Sequence, residues 1–211
     1  MLRFVTIEGG DGSGKTRHIR LLGEYLASRE VPRLMTREPG DTTLGLELRR
    51  ALVESGPESL SDETELFLML ADRAQHVREV VRPALAQGKL VVSDRFADST
   101  LAYQGYGRGM DVALLRQLNL MATGGIMPEL TIILDCAVEV ALTRAAERLD
   151  RQAVKEDRFE AEGVVFQHRV REGFLELAVA EPSRCVVVRS DGPVRNTQEQ
   201  IRGIVAERMG A

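Results

Sequence analysis

Cysteine is scarce in this chain. Only Cys136 and Cys185 occur in 211 residues, too few for a disulfide framework, so two free thiols in a reducing compartment are expected. No apolar run reaches the 18 residues that a membrane-spanning helix needs. The opening segment, Met1-Leu2-Arg3-Phe4-Val5-Thr6-Ile7-Glu8, lacks the long apolar stretch and cleavage pattern of a secretory signal, which makes the cytoplasm the expected location. An excess of basic charge is also missing. Lys and Arg together number 28 against 32 Asp and Glu, for a formal net charge of −4. That balance argues against nucleic-acid and anionic-membrane partners and requires any anion site to be local. Within the basic set lysine is rare: Lys15, Lys89 and Lys155 stand among arginines. No histidine falls in a recognisable motif, and no repeat or low-complexity tract is present.

What is present reads as one domain over 1–211, with 44% hydrophobic and 28% charged residues arguing against wholesale disorder. Short apolar runs end in turn or acidic residues: Phe4-Val5-Thr6-Ile7 at glycines, Leu34-Met35-Thr36 at Pro39-Gly40, Leu90-Val91-Val92-Ser93 at Asp94, Leu130-Thr131-Ile132-Ile133-Leu134 at Asp135, and Cys185-Val186-Val187-Val188 near Asp191-Gly192. Runs without polar alternation predict strands covered on both faces. Between them, apolar residues recur at helical spacing, as at Leu66, Met69, Leu70, Ala74, Val77 and Val81. This predicts a long helix over 62–86, capped by Asp62 with Glu65. Further helices are expected near 111–123, 137–149, 159–180 and 196–209. The alternation predicts an α/β three-layer sandwich: a five-stranded parallel sheet with helices on both faces and ligands beyond the carboxyl ends of the strands.

The first strand runs into Gly9-Gly10-Asp11-Gly12-Ser13-Gly14-Lys15-Thr16. This is the spacing of a P-loop, whose backbone N–H groups fold around phosphate and whose following helix turns its positive end to the same anion. Lys15 suits the β- and γ-phosphates of a nucleoside triphosphate and the Thr16 hydroxyl suits Mg²⁺. A compact ammonium at this place, in a chain that otherwise prefers guanidinium, strengthens the reading. The Asn-Lys-x-Asp segment of common GTPases is absent. The third strand instead ends in Asp94-Arg95, an acid fit for Mg²⁺ or its waters beside a cation fit for a second anion.

Taken in order, Gly9 to Thr16, Thr36-Arg37-Glu38-Pro39-Gly40, Asp94-Arg95-Phe96 and Ser99-Thr100-Leu101-Ala102-Tyr103-Gln104-Gly105 resemble the motifs of bacterial thymidylate kinases over about 180 residues. The resemblance implies a nucleoside monophosphate kinase fold with a small helical lid near 144–158. It implies transfer of the γ-phosphate of ATP to dTMP, with Mg²⁺, in a homodimer. By resemblance Asp11 holds the sugar 3′-hydroxyl, Arg37 and Arg95 line the monophosphate site, Arg73 donates to thymine O4, Met69 stands where an aromatic residue usually stacks on the base, and Tyr103 lies against the sugar 2′ carbon. Thr100 and Gln104, four apart, would share one helix face, with Gln104 offering both a donor and an acceptor to the base. Gly12 occupies the place where some members carry a catalytic arginine, so lid arginines Arg148, Arg151 and Arg158 are expected to take that role.

Plainer readings stay open for several of these: a loop acid at 11, a surface arginine at 37, core packing at 69 and 103, and a solvated charged face for the lid arginines. Two functional alternatives also stand. One is a kinase for another nucleoside monophosphate, or for a deoxynucleoside with Glu38 as base. The other is a non-catalytic ATP-binding regulator. For a phosphate acceptor no general base is needed, which agrees with His18, His76 and His168 lying outside the motifs.

Overall fold

A computed structural model describes residues 2–53, 60–149, 159 and 162–210, with the backbone alone for 148 and 149. Five strands form, β1 Phe4–Glu8, β2 Arg33–Arg37, β3 Leu90–Asp94, β4 Leu130–Asp135 and β5 Cys185–Arg189. They pair in the order β2-β3-β1-β4-β5, and every pairing is parallel. The helices are α1 Lys15–Ser28, α2 Thr43–Val53, α3 Asp62–His76, α4 Arg82–Ala86, α5 Ala97–Thr100, α6 Val112–Thr123, α7 Val138–Leu149, α8 Val164–Ala180 and α9 Val194–Met209.

The strands sort their side chains by alternation. Val5, Ile7, Val92, Leu130, Ile132 and Leu134 pack with Leu22 and Leu26 of α1 and Ile201 and Val205 of α9. On the opposite face, Phe4 and Val91 meet Val77 and Val81, while Ile133 meets the aromatic cluster of Tyr103, Phe166 and Phe174. That second face also carries a polar column. Thr6 and Thr131 share a hydrogen bond of 2.9 Å, Thr131 Oγ1 donates to Asp98 at 2.9 Å, and Glu8 lies fully buried at the strand end.

The predicted helix over 62–86 is continuous, with a π-helical segment, Val77–Val81, between α3 and α4. Its cap differs from expectation. Ser61 is the N-cap and accepts from the Thr64 amide at 3.2 Å, because its hydroxyl precedes the first turn, whereas Asp62 already lies within it. Glu65 points inward instead, accepting from Gln104 Nε2 at 2.7 Å and Arg108 Nη2 at 2.9 Å. A second π-helical segment, Leu101–Gly107, continues α5. Among the described residues no helix is long and apolar enough to cross a membrane.

Candidate active site

All five strands deliver their carboxyl ends to one edge, and the loop after β1 is the P-loop. Gly14 caps α1 at φ 91°, leaving the first-turn N–H groups of the helix available to an anion. Gly12 stands at φ 77°, and a Cβ there would lie 1.8 Å from the carbonyl oxygen of Ala141 on α7. A side chain at 12 is therefore incompatible with the seat that α7 takes against the loop. Lys15 is buried, and its Nζ donates to the carbonyls of Gly9 at 2.9 Å and Gly10 at 2.8 Å. Burial, then the nearby Arg95, pulls its pKa down to about 8, against the opposing pull of Asp11, Asp94 and Glu8. The ammonium thus stays largely charged at neutral pH.

A broad cavity opens beside the loop, lined by Lys15, Thr16, Arg37, Asp94, Arg95 and Arg144. Asp94 Oδ1 is buried there without a hydrogen-bond partner among the described residues. An orphaned carboxylate oxygen beside the P-loop threonine is a donor set that fits a hard divalent cation. Asp94 and Thr16 are thus the residues that could hold Mg²⁺. Arg144, on the first part of the expected lid, donates instead to the carbonyls of Ser190 at 3.0 Å and Asp191 at 3.4 Å.

Arg95 occupies the centre. Its backbone adopts φ 68°, a left-handed conformation rare for a residue with a side chain. Its guanidinium donates to Asp11 Oδ1 at 2.6 Å, Tyr103 Oη at 3.0 Å, the Gly9 carbonyl at 3.1 Å and Ser99 Oγ at 3.1 Å. The tyrosine hydroxyl in turn donates to Asp11 Oδ2 at 2.7 Å. Burial works against the Arg95 charge, but Tyr103, Asp11, Glu8 and Asp94 outweigh it and hold the pKa above its ordinary value. Burial, assisted by Asp11, pushes the Tyr103 phenol well up, so it remains a neutral hydroxyl.

A second, more enclosed pocket adjoins the first, with Asp11, Glu38, Arg49 and Arg95 common to both. It brings together Asp11, Met69, Arg73, Arg95, Thr100, Tyr103 and Gln104, seven of the residues singled out in the sequence. The expected helical face of Thr100 and Gln104 is a π turn from Leu101 onward, and both still reach the pocket. Arg73 is 2% exposed. It donates from Nε to Glu38 Oε2 at 2.8 Å, from Nη1 to Thr100 at 2.7 Å and Asn119 at 2.6 Å, and from Nη2 to the Phe96 carbonyl at 2.9 Å. Four of five N–H groups are thereby fixed by described residues, and the guanidinium is oriented before any ligand arrives. The other Glu38 oxygen meets His76 Nδ1 at 2.7 Å. With both oxygens engaged, Glu38 is not poised as a base.

Some expectations land elsewhere. Arg37 is exposed and lines the broad cavity rather than the enclosed pocket. His76, which looked incidental, is fully buried and ties Glu38 to Thr36, 2.7 Å from its Nε2. Arg151, Arg158 and the side chain of Arg148 lie outside the described residues. Sequence reasoning did not find Glu8, Arg49, Ser99, Asn119 or Phe159 as parts of the site or its support. Arg49 lines both cavities and donates to the Pro39 carbonyl at 3.0 Å, and Phe159 closes the pocket edge-on to Tyr103. The one available signal was Glu8, an acid continuing a β-rich run that ends in a buried sheet.

Known proteins resemble this chain over nearly its whole length. The family model described as Thymidylate kinase matches residues 7–201. A thymidylate kinase of Desulfovibrio desulfuricans is 48% identical over 205 residues, covering 96% of this chain and 94% of the relative. One from Geotalea uraniireducens is 44% identical over 207 residues, covering 98% and 97%. The crystal structure of thymidylate kinase from Ehrlichia chaffeensis superposes with a TM-score of 0.76 at 32% identity, covering 96% of this chain and 98% of that one. On its fold, its ordered motifs and these relatives, the chain belongs to the thymidylate kinase family.

Proposed function

We propose that this kinase transfers the γ-phosphate of ATP directly to dTMP, giving dTDP and ADP, across the junction of its two cavities. The observation that carries the reading is that Asp11 and Arg95 line both cavities. A triphosphate on the P-loop and a monophosphate beside Arg95 would then meet end to end. The acceptor is a phosphate dianion and needs no base, so catalysis is positioning and charge neutralisation. Lys15 binds the terminal phosphates of ATP, and Arg95 binds the acceptor phosphate. Asp94 and Thr16 would hold Mg²⁺, which when bound neutralises phosphate oxygens. Asp11 takes the sugar 3′-hydroxyl, Tyr103 packs against the sugar, Met69 against the base, and Arg73 with Thr100 and Gln104 reads the base edge. Arg148, Arg151 and Arg158 are the arginines proposed to complete the charge clamp when the lid closes.

The working unit is proposed to be a homodimer. Helices α3 and α6 pack together and leave Phe67, Leu114 and Met121 at 62%, 51% and 76% exposure, an apolar surface suited to a second copy. Two buried free thiols fit a cytoplasmic protein. A coupled ADP-release assay across dTMP, dUMP, dCMP, dGMP and AMP tests the function. Multiple turnover with dTMP above the rest is expected, and ATP binding without transfer to dTMP would overturn it.

A further inference from the structure

The strained Arg95 backbone is held from one side by a single carboxyl group. Arg95 follows β3, its amide donates to the Ile7 carbonyl at 3.1 Å, and its own carbonyl accepts from Ser93 Oγ at 2.8 Å. The next amide, of Phe96, donates to Glu8 Oε1 at 2.8 Å. The other oxygen, Glu8 Oε2, accepts from Ser99 Oγ at 2.6 Å. Because Ser99 spends its only proton on Glu8, its oxygen faces Arg95 as an acceptor, and Arg95 Nη1 donates to it at 3.1 Å. Glu8 thereby fixes Arg95 at two points, the backbone turn beyond Cα and the tip of the guanidinium.

A buried carboxylate is costly unless something requires it. Glu8 is 0% exposed, and its other acidic neighbour, Asp98, is itself paired with Arg184 at 2.7 Å. Burial and then Asp98 push the Glu8 pKa up to about 7, while Arg95, Ser99 and the Phe96 amide hold it down. An apolar residue at the end of β1 would fill the same layer without that penalty. Among the described residues, the hydrogen bonds that the Glu8 carboxyl group accepts lead to the Arg95 turn.

We propose that Glu8 is a positioning residue for the acceptor phosphate: through the Phe96 amide and the Ser99 hydroxyl it holds Arg95 in its left-handed turn with the guanidinium aimed at the junction of the two cavities. This rests on the reading of Arg95 as the acceptor-phosphate ligand. Glu8 itself touches no substrate.

Glu8→Gln is the informative variant. The amide keeps the shape and one oxygen for the Phe96 N–H, but it sets an N–H against Ser99. The Ser99 proton then turns toward Arg95, donor against donor. The expected result is a KM for dTMP raised several-fold, up to about the tenfold rise of Arg95→Ala, with the KM for ATP within about twofold of wild type and a melt that stays cooperative. In an Arg95→Ala background the same substitution should add almost nothing to the KM for dTMP, since its path of action is gone. A dTMP KM within about twofold of wild type in Glu8→Gln, with Arg95→Ala raised, overturns the positioning role and leaves the Arg95 reading standing. Fully additive effects overturn it equally. An unchanged dTMP KM in Arg95→Ala overturns both readings. Should Glu8→Gln fail to fold, Ser99→Ala decides. It removes the relay while sparing the carboxylate, and a several-fold rise in dTMP KM is expected; no change overturns the proposal.

Discussion

The two walls of the active site are built on different principles. The donor wall is one contiguous loop, Gly9 to Thr16, whose business is done by backbone N–H groups, one lysine and the space that glycines leave. The acceptor wall draws side chains from the P-loop, from the loop after β2 and from α2, α3, α5 and the π turn after it, knitted by buried ion pairs such as Arg73–Glu38 and Arg95–Asp11. A backbone cradle depends on conformation and tolerates little added volume. A side-chain wall depends on every polar group keeping its partner, because each unpaired charge in a buried place is expensive. In the proposed function the first recognises a group common to all nucleotides and the second discriminates.

The sharpest way to strain this contrast is to break a pair in the acceptor wall. Arg73→Ala leaves the Glu38 carboxylate buried beside Asp72, and a loss of about 3–5 kcal/mol of stability is expected in chemical denaturation; a variant as stable as wild type would show that the network is not under that constraint. On the donor side, Lys15→Ala should cost at least about a hundredfold in turnover while circular dichroism and melting stay close to wild type. Equal damage to fold and rate would erase the distinction between the walls. The pH dependence of Glu8 is next. Its folded pKa lies near 7 against an ordinary 4.5, so between those values the folded state holds a proton that the unfolded state has released. Its contribution to stability is therefore present below about 4.5 and falls away as pH rises through 7. Asp72, raised to about 6 by burial and Glu38, works in the same direction, and His18, lowered by burial, works in the opposite one. The difference between Glu8→Gln and wild type isolates Glu8. It should shift in favour of the variant by about 2 kcal/mol from pH 5.5 to pH 7.5, and a flat difference would count against a proton on Glu8. Smallest is Arg95→Ala, for which a KM for dTMP raised about tenfold is expected with the KM for ATP little changed; parallel rises in both would mean that the two walls are not separable at Arg95.

All five strands were legible because each is an apolar run stopped by glycine, proline or an acid; the expectation of cover on both faces holds for the central β1, β3 and β4, whereas the edge strands β2 and β5 are only partly covered, with Val187 exposed. The P-loop was legible because its residues are consecutive. Partners brought together across the chain were not. His76 and Glu38 are 38 positions apart, Arg73 and Asn119 are 46 apart, and Glu8 and Ser99 are 91 apart, and no periodicity links such pairs. The long helix over 62–86 was visible in its apolar spacing, but the π segment within it was not, since one extra residue per turn changes the hydrogen-bond register without changing composition. The cap at Ser61 rather than Asp62 is a one-residue difference decided by which oxygen precedes the first helical turn.

By itself the chain order of hydrophobic runs, glycines and one favoured lysine determined the strand segments and the phosphate cradle, because both are local: consecutive residues choose a strand or a loop from their own sterics and solvation, whereas the strand order β2-β3-β1-β4-β5 joins segments far apart along the chain. Only the folded arrangement decided that Gly12 must yield its space to Ala141, that Arg73 is already fixed through four of its N–H groups, and that Glu8 governs the turn at Arg95. Those outcomes depend on distances between segments far apart along the chain, and such distances exist only after the sheet has closed and excluded water from between them.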